Sequence, residues 1–133
     1  MDHICLSPRL QMVADFVPPC ACAADIGTDH GYLPIWLLQN DVIRSAIAAD
    51  IHAGPLANAR QSAAAYDLEE RFRFVLADGL RFPDAQAADV VTVAGMGGET
   101  ICAILAAAPW LRQGKRLVLQ PQSKVPELTD WLW

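Results

Sequence analysis

The stretch "AADIGTDHGYLP", residues 23–34, joins a run of small apolar residues to a glycine-marked turn and a helix start. Strand, tight turn and helix in that order form the unit from which parallel α/β sheets are built. Such sheets hold ligands at the carboxyl ends of their strands. Gly27 permits close backbone approach, and Gly31 lets the next helix begin tightly. The spacing is not G-x-G-x-x-G, and Asp29 and His30 stand where a phosphate-binding loop wants glycine or a cation.

The pattern repeats outward from there. Ser7-Pro8 reads as an N-cap followed by proline at the first helical position, and Leu10, Val13, Ala14 and Val17 continue at helical spacing. Pro18-Pro19 ends that helix. Apolar or alternating runs predict strands at residues 22–26, 45–51, 71–76, 88–94 and 116–120. Helices are predicted from Gly31 to Asn40, from Pro55 through Tyr66, and over residues 100–107, with Gly95-Met96-Gly97-Gly98 turning the fourth strand into the last of these. Strands alternating with helices mean a parallel sheet covered by helices on both faces. "ELTDWLW" closes the chain in mid-helix without a cap, which predicts an incomplete domain over residues 1–133, truncated after its fifth strand. That strand would be an open sheet edge, where a second copy could pair as a homodimer.

Composition narrows the function. The 133 residues suffice for one domain and one core, and 53% are hydrophobic, which excludes a disordered chain. No run approaches the ~18 apolar residues of a membrane span, and "MDHICLSPRL" lacks a signal-peptide layout, so a cytoplasmic protein is expected. A net charge of −5 argues against a protein that coats nucleic acid non-specifically. A local basic patch would have to draw on Arg9, Arg60, Arg71, Arg73, Arg112, Lys115 and Arg116. Cys5, Cys20, Cys22 and Cys102 read as reduced thiols, and His3, His30 and His52 have no metal-ligand spacing.

The strand ends then carry the chemistry. After the first come Asp25, Gly27, Thr28, Asp29, His30 and Gly31; the second ends in Asp50; the third leads to Asp78-Gly79; the fourth to Gly95–Gly98 and Glu99; the fifth to Gln120-Pro121-Gln122. A pyrophosphate beside Asp29 would meet like-charge repulsion, so a dinucleotide is disfavoured. S-adenosylmethionine, which has no phosphate and carries a sulfonium cation, fits better. Asp50 can accept both ribose hydroxyls, and Asp78 can meet the adenine end. A helix N-cap remains the structural alternative for Asp29, and a core gap-filler that for Met96.

"LSPRLQMVADFVP", "ADIGTDHGYLPIWL", "AADIHAGPLANAR", "ADGL", "VAGMGGETI" and "RLVLQPQ", in this order and spacing, resemble the bacterial tRNA (adenine(22)-N(1))-methyltransferase family. The resemblance implies a Rossmann-like class I methyltransferase that uses S-adenosylmethionine to methylate N1 of an adenine in tRNA. By motif, Asp25, Gly27, Asp29 and Gly31 would line the methionine part of the cofactor, Asp50 and Ile51 the ribose, and Asp78 and Gly79 the adenine, with Thr28 and His30 of the same loop also counted as cofactor-binding. Gly95 and Met96 would complete the cofactor site, and Gly97 and Gly98 would face the target base. The resemblance also implies that Arg9 binds RNA, with a solvated arginine as the alternative. For methyl transfer to a base, the residues themselves offer Asp29 as the catalytic carboxylate that stabilises charge on the base. They offer Tyr32 as a stacking ring, with a packed helix face shared with Trp36 as the alternative. The family's last strands and helical extension would be absent here. The residues by themselves leave open another methyl acceptor, or a cofactor-binding fragment without turnover.

Overall fold

The structure, a computed structural model, describes residues 3–112 and 114–123. Helix α1 (Pro8–Asp15) starts as its sequence predicts, with the Ser7 hydroxyl accepting the Leu10 N–H at 3.3 Å and Pro8 in the first turn. Strand β1 (Cys20–Ile26), α2 (Tyr32–Gln39), β2 (Ile43–Asp50), α3 (Ala53–Ala65) and β3 (Phe72–Leu76) follow. A crossover holding a short 3-10 turn, Pro83–Ala87, leads to β4 (Val90–Gly97), α4 (Gly98–Ala106) and β5 (Arg116–Ser123). The helix expected over residues 125–133 lies outside the described residues.

The five strands are parallel throughout, in the order β3-β2-β1-β4-β5. Chain direction across the sheet reverses between the two halves, so right-handed crossovers place α2 and α3 on one face and α4 on the other. Val13 and Ala14 of α1, with Leu33, Leu37 and Leu38 of α2, pack over Ala23, Ala46 and Val90. Ile101, Ile104 and Leu105 of α4 pack over Ala24, Ala49, Val91 and Val93 on the opposite face. Buried alanines recur in β1 (Ala23, Ala24) and β2 (Ala46, Ala48, Ala49), where the sheet is covered closely. Helix α2 is buried almost all round, and each leucine or isoleucine so buried contributes about 1.5–3 kcal/mol. No helix among the described residues is long and apolar enough to cross a membrane.

One prediction is corrected. Gly95-Met96-Gly97 is not a turn; β4 runs through it to Gly97, and β5 extends to Ser123 beside it. The register slips here: Ala94 pairs with Gln120, then Met96 with Pro121 and Gly97 with Ser123. Pro121 has no N–H to donate to a ladder, and a bulge at Gly95 (φ 76°) absorbs the mismatch.

Candidate functional site

A cleft of about 570 Å³ opens at the carboxyl ends of β1, β2 and β4. It lies where the strand order reverses around β1, the position that favours ligand binding in open α/β sheets. Its floor is the end of β1 and the turn behind it. Gly27 adopts φ 73°, and a Cβ there would collide with the Met96 methyl group. Glycine therefore serves twice, in the turn's backbone and in leaving room for Met96. The Gly27 and Thr28 N–H groups donate to the Ala49 carbonyl at 2.8 and 3.1 Å, tying the turn to β2.

Three carboxylates stand in different environments around this turn. Asp25 is buried and pairs in register with Thr92 on β4. The Thr92 hydroxyl lies 2.8 Å from Asp25 Oδ1 and 3.4 Å from the Ala24 carbonyl. Burial pushes the Asp25 carboxyl up to about 6 and the neighbouring Asp50 adds to this, while the Thr92 and Thr28 hydroxyls and the Arg9 guanidinium pull it down. The buried Thr28 hydroxyl is close enough to influence Asp25 but has no partner within hydrogen-bond geometry.

Asp50 closes β2 with both oxygens held by backbone. Oδ1 accepts the His52 N–H at 3.0 Å and Oδ2 the Asp29 N–H at 3.4 Å. Each oxygen keeps a second lone pair available at the cleft wall. Asp29 is exposed and left-handed (φ 55°), with its carboxylate 3.8 Å from His30 Nε2. It is not the cap of α2: Gly31 holds that position, with no side-chain cap bond. The His30 and Tyr32 rings stack at 5.1 Å between centroids beside it.

The fold thus gathers Arg9, Asp25, Gly27, Thr28, Asp29, His30 and Tyr32 around one cleft with Asp50, Ile51, Gly95, Met96 and Gly97. It does not bring in the other four residues singled out from sequence. Gly31 packs on Ala59 of α3, and Gly98 is buried at the start of α4. Asp78 is exposed, 4.0 Å from Arg81 Nε, and does not line the cleft although β3 ends at Leu76 as predicted. Gly79 lies against Ile104 of α4, which explains its small size by packing. The lining also includes residues that sequence reasoning missed. His52 and Pro55 extend the strand-end rule a few positions into α3, and Thr100 sits in the first turn of α4. Leu10 and Leu33 arrive through helix packing and carry no local signal.

Comparison with known proteins agrees with this geometry. A family model described as a methyltransferase domain matches residues 6–133. The tRNA (adenine(22)-N(1))-methyltransferase of Bacillus subtilis is 39% identical over the whole of this chain and 56% of its own length. The chain spans about half the length of the curated relatives it matches. A Streptococcus pneumoniae protein solved with S-adenosyl-L-methionine superposes with a TM-score of 0.89 at 40% identity, over 96% of this chain and 61% of that one. The M. capricolum TrmK structure, which holds S-adenosyl-homocysteine, has a TM-score of 0.72 at 38% identity, over 76% of this chain and 46% of that one. The parallel five-stranded sheet, the acidic cleft at its switch point and the family match lead to one assignment: this chain belongs to the methyltransferase domain family, and from end to end it is similar to the tRNA (adenine(22)-N(1))-methyltransferases.

Proposed function

We propose that this chain binds S-adenosylmethionine in the cleft and forms the methyl-transferring part of an enzyme acting on N1 of an adenine in tRNA, position 22 by likeness to the B. subtilis relative. The observation that carries the reading is Asp50. Its carboxylate is fixed by two backbone N–H groups and retains acceptor capacity for the two hydroxyls of a ribose. The rest of the cleft suits the same ligand. Asp25 and Asp50 give it negative potential, favourable to a sulfonium and an ammonium group. The unpartnered Thr28 hydroxyl offers a buried polar contact on the floor. Arg9 is the one arginine or lysine lining the cleft among the described residues, so no cationic phosphate cradle is built.

When bound, the cofactor supplies an electrophilic methyl group. The protein's task is to hold the acceptor nitrogen behind it. Adenine N1 is free only when the base leaves its pair and stack. The stacked His30 and Tyr32 rings at the cleft give an unstacked base a surface to rest on. The exposed Asp29 carboxylate next to them stabilises the positive charge the base acquires on methylation and accepts a hydrogen from its exocyclic amine. A cytoplasmic location and pairing of two copies along β5, an edge strand among the described residues, belong to the same proposal; light scattering tests the second.

Calorimetry with S-adenosylhomocysteine, beside a transfer assay on unmodified tRNA with the product mapped, tests the reading. Binding and a methyl group at N1 of adenine are expected. No binding would overturn the assignment. Binding with transfer to another position would move it to a different acceptor, and binding without transfer would favour a cofactor-binding part, a reading prompted by the chain spanning about half its relatives' length.

A further inference from the structure

We infer that Gln120 is a positioning residue that locks the two sides of the cleft together through one carboxamide oxygen. The inference rests on the methyltransferase reading only for what the cleft then does. Gln120 Oε1 accepts the Gly95 N–H at 3.1 Å and Arg9 Nη1 at 3.2 Å, while Gln120 Nε2 lies 3.4 Å from the Pro121 carbonyl. The amide orientation follows from these partners. Reversed, it would point its own N–H groups at two donors and its oxygen at a carbonyl.

The bulge explains the need for this bond. Where β4 slips against β5, Gly95 is the extra residue, and its N–H takes a side-chain acceptor in place of a ladder carbonyl. The direction of the next residues depends on that N–H being held. Met96 then reaches across to Gly27, and Gly97 faces the cleft before α4 begins. The same oxygen draws Arg9 from the first turn of α1 across 111 positions of sequence to β5. A cation in a first helical turn opposes the helix dipole, so it gains from an acceptor outside the helix. Arg9 has five N–H donors and this bond uses one. The others remain at the cleft, where the charge suits the phosphate of a nucleotide whose base enters beside Gly97. Gln120 is not among the residues that line the cleft; it acts through Gly95 and Arg9.

The test compares Gln120→Ala, Gln120→Glu and Arg9→Met by amide hydrogen exchange at Gly95, tRNA binding at several salt concentrations, and S-adenosylhomocysteine calorimetry. In Gln120→Ala, exchange at Gly95 should rise by about tenfold or more, the cost of leaving one amide bond unmade. Its tRNA affinity should fall, and the salt slope should shrink by about one phosphate contact. Gln120→Glu keeps an acceptor for the Gly95 N–H and should restore its protection, while its added charge pairs with Arg9, turns an oxygen to the Pro121 carbonyl and leaves tRNA affinity below wild type. Arg9→Met should lose the salt-dependent contact while keeping Gly95 protected. Wild-type exchange rates at Gly95 in Gln120→Ala, or exchange at Gly95 in Gln120→Glu as fast as in Gln120→Ala, would overturn the inference. If Gln120→Ala does not fold, the Gln120→Glu and Arg9→Met pair decides it on the same readouts. Failure of the wild-type chain to bind S-adenosylhomocysteine would instead strike the methyltransferase reading, with the exchange result still deciding the role of Gln120.

Discussion

Replacing Asp50 with asparagine tests the centre of the proposed cofactor site. The aspartate oxygens lie 3.0 Å from the His52 N–H and 3.4 Å from the Asp29 N–H, one bond to each oxygen. A carboxamide has one oxygen. It can satisfy the shorter bond to His52, and its NH2 then meets the Asp29 N–H donor to donor. The ribose hydroxyls lose a charged acceptor at the same time. A hydrogen bond to a charged group is worth about 1.5–3 kcal/mol, and asparagine retains part of one of the two ribose contacts. A net loss of about 2–4 kcal/mol follows, or about 30- to 900-fold in Kd. S-adenosylhomocysteine is the right probe because it lacks the sulfonium charge, so the measurement isolates the ribose contact. Titration calorimetry at neutral pH gives the ratio, and the thermal unfolding curve of the ligand-free variant shows whether the turn has survived. A well-folded Asp50→Asn protein that binds within about threefold of wild type would refute the reasoning and move the ribose elsewhere.

Other outcomes follow from the same geometry. Burial raises Asp25 from 3.8 to about 6, so between these values the native state binds more protons than the unfolded chain, and stability falls as pH rises. The total across that window is roughly 3 kcal/mol; Asp25→Asn should remove this slope, so the Tm gap between variant and wild type should widen from pH ~4 to ~6 and then level off. A constant gap would mean that Asp25 does not titrate in that range. Gly27→Ala must displace the Met96 methyl group and hold φ at 73°, and should cost about 1–3 kcal/mol in thermal unfolding. The double variant with Met96→Ala should recover the steric part and leave the backbone part, which a thermodynamic cycle separates. Asp29→Ala should lower transfer to tRNA by about tenfold or more while cofactor affinity changes little; turnover within a few-fold of wild type would remove Asp29 from the chemistry.

The order of strands and helices was legible because each element carries its own local signal. Ser7-Pro8 starts α1, the alanine and valine runs make the buried strands, and strand ends place Asp25, Asp29 and Asp50. The parallel sheet and the acidic, phosphate-unfriendly character of the cleft followed from these patterns alone. Tertiary structure decided what depends on partners distant in sequence. Gly95-Met96-Gly97 has the composition of a turn, yet it continues β4 because β5 lies alongside and Pro121 forces a bulge. Gly79 follows β3 but answers to Ile104, and Asp78 turns to solvent beside Arg81 and does not line the cleft. Burial weakens the acidity of Asp25, and Thr92, 67 positions away, opposes that shift. Gln120 and Arg9, 111 positions apart, meet only because α1 packs where β5 ends. Backbone preference and hydrophobic period act over a few residues and can be read along the chain; registry, burial and hydrogen-bond partners are set by which surfaces come together, and only the folded chain contains them.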